Sequence, residues 1–167
     1  MKMSDGVEWG IHCAAVMARL EAGATLPGKA LAEFHGVSES YLLKHLKALT
    51  AAGILESVPG PLGGYRLARK PKQITLLDIV LAVDGPEPAF RCSEIRQRGP
   101  SALPAKTYRV PCVINVAMLR AEKAWRAELA RTTIADIDTE VACVADARQL
   151  AKAGDWMKQN QRPQANP

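Results

Sequence analysis

Apolar residues recur at helical spacing from Val7 to Leu20, where Val7, Ile11, Ala14, Ala15 and Ala18 build one stripe that Glu21-Ala22-Gly23 ends. Pro27 opens a second helix, Gly28 to Phe34, and Gly36 stops it. Ser38 is the N-cap of a third helix, Glu39 to Ala52, whose stripe is Leu42, Leu46 and Leu49, with Gly53 closing it. The period then changes. Ile54 to Val58 reads as a strand, Pro59-Gly60-Pro61-Leu62-Gly63-Gly64 as a turn, and Tyr65 to Ala68 as the return strand. Thr75 caps a short apolar helix that runs through Val83. Asp84 to Pro111 is rich in Pro, Gly and Arg and reads as a loop. Cys112 opens a long helix to about Ala130, and one shorter helix is expected from Ile134 to about Ala151. The polar, proline-containing stretch Gln159 to Pro167 is expected to be disordered.

Three helices followed by a Gly/Pro-tipped hairpin is the order of a winged helix-turn-helix, so the predicted fold is mostly α with a two-stranded wing. The long helix from Cys112 places Ile114, Met118, Ala121 and Trp125 on one seam, as a dimerisation helix does, although packing within one chain gives the same pattern. No apolar run is long enough to span a bilayer, and Met1 to Gly6 lacks the apolar stretch of a signal peptide. A cytoplasmic protein with no membrane partner is therefore expected. Four cysteines are too few for a disulfide scaffold; in a reducing compartment they are thiols, metal ligands or a transient redox pair.

The net charge of +5 permits a nucleic-acid partner without requiring one. Its distribution says more. Between Tyr41 and Lys72 stand six Lys or Arg and one acid, Glu56. The third helix carries Ser38 at its cap and Ser40, Tyr41, Lys44, His45 and Lys47 off its apolar stripe; the hairpin adds Arg66, Arg69, Lys70 and Lys72. Cations on one face meet phosphates, and side chains near a helix N-terminus reach base edges, so double-stranded DNA is the expected partner. His45 is expected to face DNA or solvent.

The segments Val37-Ser38-Glu39-Ser40-Tyr41-Leu42, Leu46-Lys47-Ala48-Leu49, Gly53-Ile54-Leu55-Glu56-Ser57-Val58 and Gly63-Gly64-Tyr65-Arg66-Leu67-Ala68 closely resemble the winged-helix regulators related to IscR, NsrR and RsrR. Thr75-Leu76-Leu77-Asp78-Ile79-Val80 followed by Val83-Asp84-Gly85 fits the same pattern, and the resemblance spans about Val7 to Arg131. It implies a homodimer, DNA binding at a pseudo-palindromic site and often an iron–sulfur cluster. The chain departs from the family in carrying Pro59 where many members have an arginine before the Gly-Pro of the wing. It also lacks the three closely spaced loop cysteines of NsrR-like and IscR-like members and has Cys92 and Cys112, twenty residues apart.

That spacing resembles the RsrR-like branch. The resemblance implies a [2Fe–2S] site completed by Glu8 and His12 from the first helix of the partner subunit. On a helix those two lie four apart on one face, although such a pair by itself is an ordinary surface contact. Trp9, beside Glu8, is either a packing residue or the carrier of a redox signal to the DNA-binding face. Cys13 and Cys143 are expected to be buried as small hydrophobes. The expected organisation is therefore a winged-helix domain over 1–84, a cluster-binding loop over 85–111, the dimerisation helix and a helical segment over 112–158, and a tail over 159–167.

Other chemistries remain open. Two Cys with His and Glu are also an acceptable zinc set, and Cys92 with Cys112 can form a reversible disulfide. A metal-dependent hydrolase with Glu8 as general base lacks any H-E-x-x-H or G-x-S-x-G motif, so no enzyme activity is expected. A pure interaction module, as in regulators that have lost DNA binding, is a further reading, and a salt-dependent shift on genomic DNA would argue against it.

Overall fold

The computed structural model describes residues 3–61 and 63–163. Among them are seven α-helices: α1 (Asp5–Met17), α2 (Gly28–His35), α3 (Glu39–Ala51), α4 (Leu76–Asp84), α5 (Val113–Arg131), α6 (Ile134–Val144) and α7 (Ala147–Asn160). Strands β1 (Leu55–Val58) and β2 (Gly64–Leu67) pair antiparallel, with Leu55 opposite Leu67 and Val58 opposite Gly64. The fold is the expected winged helix, mostly helical, with a long helix after the loop.

One core joins these elements. Leu31 of α2, Leu42, Leu46 and Leu49 of α3, Ile54 and Leu55 at the wing's base, Ile74 and Ile79 beside and within α4, and Ile134 of α6 are buried around Cys13 and Ala14 of α1. The α3 stripe forms as its leucine spacing dictates. Thr75 caps α4 through a capping box with Asp78, and Thr133 repeats that device with Asp136 at α6. The two caps lie side by side: Leu76 N donates to Thr132 O and Ile134 N to Ile74 O, each at 2.9 Å. This clip returns the chain from the far end of α5 to the winged-helix core.

Four features differ from the sequence reading. The expected single helix from Ile134 is two, because Asp146 caps a new helix by accepting the Arg148 N–H at 2.8 Å. Gln159 and Asn160, expected in a disordered tail, end α7, and Arg162 pairs with Thr25 in an antiparallel bridge. The rest of that tail, residues 164–167, lies outside the described residues. Cys143 is exposed rather than buried. It stands about 200° around α6 from Val141, which lines a groove against α1.

His45 also faces inward, against expectation: it is 6% exposed and its imidazole lies on Gly6 of α1. A Cβ at Gly6 would stand 2.2 Å from His45 Cε1. The glycine is therefore the notch that lets α1 and α3 close on this ring. We expect Gly6→Ala to destabilise the fold by about 1–3 kcal/mol through overpacking. In a His45→Ala background the clash is gone, and the same change should stabilise by roughly 0.5–1 kcal/mol through helix propensity. Urea unfolding of the four proteins checks this; additive effects of the two substitutions would refute the notch.

Candidate functional site

The exposed face of α3 begins at Ser38 and carries Lys44 and Lys47, with Glu39 in its first turn. Ser38, Ser40, Tyr41, Lys44 and Lys47 are all exposed. Ser38 Oγ bonds Ser40 Oγ at 3.1 Å and makes no side-chain cap to α3, so both hydroxyls stand at the surface near the positive end of the helix dipole. On the wing, Arg66 is not an open cation. Its Nε and Nη2 donate to the two oxygens of Glu56 at 2.9 and 3.1 Å, and its Nη1 donates to the Gly23 carbonyl at 3.1 Å. The Arg66 guanidinium holds the Glu56 carboxyl below the usual carboxylate range. Arg66 therefore meets a phosphate only by exchanging Glu56 for it. Lys70 and Lys72 are exposed, whereas Arg69 pairs with Asp78 at 3.6 Å.

Trp9 links α1 to this face of α3. Its ring meets Tyr41 edge-on at 5.1 Å and His45 at 6.0 Å, and Tyr41 meets His45 at 5.0 Å. Burial pushes the His45 pKa down, Lys44 adds to that shift, and Asp84 opposes it. The ring contacts give Trp9 a direct mechanical route from α1 to an exposed residue of α3.

Glu8 and His12 lie exposed on the same α1 face as Trp9. All three line a groove of about 620 Å³ closed on its other side by α2, α6 and α7. Arg19, two residues beyond the end of α1, pairs with Asp138 of α6 across it. His35 stands 5.7 Å from His12 between ring centres, and burial, then the nearby His12, lowers its pKa.

The loop after α4 brings Cys92 and Cys112 together. Cys112 is the residue preceding α5, so its sulfur meets the N–H groups of Asn115 and Ile114. Those N–H groups, then the Cys92 thiol and the Arg96 charge, hold the Cys112 pKa below its ordinary value. Cys92 Sγ accepts the Glu94 N–H at 3.4 Å. Glu94 adopts φ 50°, a left-handed conformation uncommon for a side-chain-bearing residue, and its carboxylate takes the Arg96 Nε at 2.7 Å. Arg96 also donates to Val110 O at 2.7 Å and lies over the Tyr108 ring, 5.0 Å from its centre. Glu94, Arg96 and Tyr108 thus fold the loop around the two thiols, roles that the sequence reading did not assign. The available signal was a Cys-x-Glu-x-Arg run.

Cys13 is the chemical opposite. Burial pushes its thiol up to about 12, so it stays protonated and poorly reactive. Within one chain the four candidate ligands do not converge: among the described residues no three His, Cys, Asp or Glu side chains come together as a metal site. Glu8 and His12 stand in the α1 groove, and the thiol pair stands at the head of α5.

Comparison with known proteins agrees with the fold. Residues 3–140 match the family model described as Rrf2, iron-dependent transcriptional regulator. YwgB of Bacillus subtilis, named an HTH-type transcriptional regulator, is 29% identical over 157 residues, covering 94% of this chain and 95% of YwgB. The structure of CymR, the global cysteine regulator of B. subtilis, superposes with a TM-score of 0.66 at 24% identity, covering 84% of this chain and 98% of CymR, a likeness of fold. The structure of T. potens IscR superposes with a TM-score of 0.63 at 26% identity, covering 90% of this chain and 96% of IscR.

Proposed function

Because this chain belongs to the Rrf2 family of iron-dependent transcriptional regulators, we propose that it is a homodimeric DNA-binding regulator of the RsrR-like branch. Its redox sensor is a [2Fe–2S] cluster held by Cys92 and Cys112 of one subunit and Glu8 and His12 of the other. The observation that carries this reading is the paired thiols themselves: two cysteines twenty residues apart in sequence meet beside Arg96, in a setting that favours thiolate at Cys112. Thiolate is the ligating form. The donor set fits the group, with two sulfurs for one iron and an imidazole and a carboxylate for the other. When bound, the cluster supplies a one-electron couple. The chain's own residues do the rest: Trp9, on the ligand helix itself, contacts Tyr41, and α3 meets the duplex.

The α5 seam supports the dimer. Trp125 is half-buried, but Ile114 and Met118 are 62% and 44% exposed, so the first half of the seam is uncovered among the described residues. A symmetric pair of wings and α3 helices would read a pseudo-palindromic site. Ser38, Ser40, Tyr41, Lys44 and Lys47 form the reading edge. Lys44→Ala is expected to weaken binding to genomic DNA fragments and to lower the slope of log affinity against log salt by about one unit. An unchanged slope and affinity would remove Lys44 from the interface.

The test of the sensor is protein purified without air, examined by its visible spectrum with iron and acid-labile sulfide assays. A coloured protein with iron and sulfide in equal amounts is expected. Two colourless outcomes would instead favour a second reading, which the closeness of the thiols also supports. Bound zinc would make the four residues a zinc set, and a reversible Cys92–Cys112 disulfide would make them a thiol switch.

A further inference from the structure

The family match ends at residue 140, yet the chain continues through α7 and returns to the wing. Trp156 of α7 packs its ring on Phe34 of α2, 4.6 Å between centres. Gln161 Oε1 accepts the Glu21 N–H at 3.3 Å. Arg162 then lies antiparallel to Thr25, with Thr25 N donating to Arg162 O at 2.9 Å and Arg162 N to Thr25 O at 2.8 Å. Leu26, the next residue, pairs with Tyr65 of β2 through two bonds of 2.9 and 2.8 Å. The wing sheet is thereby extended by two short bridges, from β1 through β2 and Leu26 to Arg162.

The side chain of Arg162 reaches further and donates through Nη1 to the Gly63 carbonyl at 2.8 Å. That carbonyl belongs to the turn of the wing. Gly63 is buried, and a Cβ there would stand 2.1 Å from Val58 O, so the turn is closed tightly on itself at this point. One arginine thus holds both the strand beside the wing and the turn at its tip. A two-stranded ribbon alone is marginal in water, so contacts of this kind decide how firmly it is held.

We propose that the segment from Ala147 to Arg162 is a brace for the wing, with Arg162 as the positioning residue that sets the wing's pose for duplex DNA. The brace also has a free end at the sensor. Leu150, Ala153 and Met157 of α7 form the wall of the groove that Glu8, Trp9 and His12 line from the other side. A change of occupancy or charge at Glu8 and His12 therefore meets the same helix that carries Arg162. This inference rests on the DNA-binding reading for its consequence, and on the free protein alone for the brace itself.

Two measurements on the full chain test it. Amide hydrogen exchange on Arg162→Ala, without DNA, should show the β2 residues Gly64–Leu67 exchanging about tenfold faster or more, while α1 and α3 keep their protection. Affinity is then measured on a duplex recovered by selection from a random-sequence pool. It should fall about tenfold, with the salt slope unchanged, because a brace contacts no phosphate. Trp156→Ala removes the α7 anchor without touching the Arg162 charge and should reproduce both effects; its far-ultraviolet circular dichroism reports whether the fold survives. Unaltered exchange in β2 of Arg162→Ala overturns the brace. Weaker binding with a slope lower by about one unit and unaltered exchange would make Arg162 a phosphate contact instead. If the unsubstituted chain selects no duplex, the DNA-binding reading fails, and the exchange measurement still decides the brace.

Discussion

Cys92→Ala and Cys112→Ala, purified without air, are each expected to lose all the visible absorption of the unsubstituted protein, while Cys13→Ala and Cys143→Ala keep it. The four cysteines stand in three different environments. Cys112 has two backbone N–H groups, a neighbouring thiol and the Arg96 charge, all of which favour thiolate. Cys92 shares that neighbourhood and adds the Glu94 N–H. Cys13 is wholly buried among apolar side chains, with a pKa near 12, and offers neither charge nor access. Cys143 is exposed on the outer side of α6, away from the groove that holds His12. Losing one of two sulfur ligands removes half the thiolate supply of the site, and substitution of a ligand in a four-ligand set is not made good by distant groups. A folded but colourless Cys13→Ala protein would overturn the assignment.

The winged helix was legible because its signals are local. A leucine stripe at helical spacing, an N-cap serine and a Gly/Pro turn act within a few residues, and the structure places α3, β1 and β2 where those signals put them. What the sequence hid is set by contacts between distant segments. His45 lies off the α3 stripe and is drawn inward because α1 offers it Gly6, thirty-nine residues earlier. Arg66 reads as a wing cation, yet its charge is taken by Glu56 across the hairpin, a pairing fixed by strand register. The break between α6 and α7 turns on one capping aspartate inside an otherwise helical composition. Arg162 sits in a polar stretch whose composition reads as disorder, and its order comes from Thr25 and Gly63. The thiol pair was visible as two cysteines; the groups that condition it, Glu94 and Arg96, were visible only as charges in a loop.

A mixture of two inactive chains is expected to recover a cluster that neither has alone. One chain carries Glu8→Ala with His12→Ala, and the other carries Cys92→Ala with Cys112→Ala. Each homodimer should be colourless. The geometry explains why the heterodimer should not be. In a single chain Glu8 and His12 face the α1 groove, the thiols sit at the head of α5, and no three ligand-type side chains converge among the described residues. A four-ligand site built from these residues therefore needs either a large movement within one chain or a second copy. The exposed Val113, Ile114 and Met118 of α5, beginning one residue after Cys112, favour the second copy. A shared site leaves the heterodimer one complete ligand set, so it binds one cluster per dimer instead of two. A site within one chain leaves no complete set in any pairing, and colourless heterodimers would end the shared arrangement. A shared site would also give a redox switch its lever. The cysteines belong to the segment leading into α5, whereas Glu8 and His12 belong to the helix whose Trp9 touches Tyr41. A cluster held by Cys92 and Cys112 of one subunit and by Glu8 and His12 of the other would supply a one-electron change of charge between these two elements. Only a difference in DNA affinity between the two oxidation states makes that change a signal, because equal affinities shift no population. Titrating the restored heterodimer with dithionite while following DNA binding therefore measures the switch directly, against the same protein with its cluster removed as the reference.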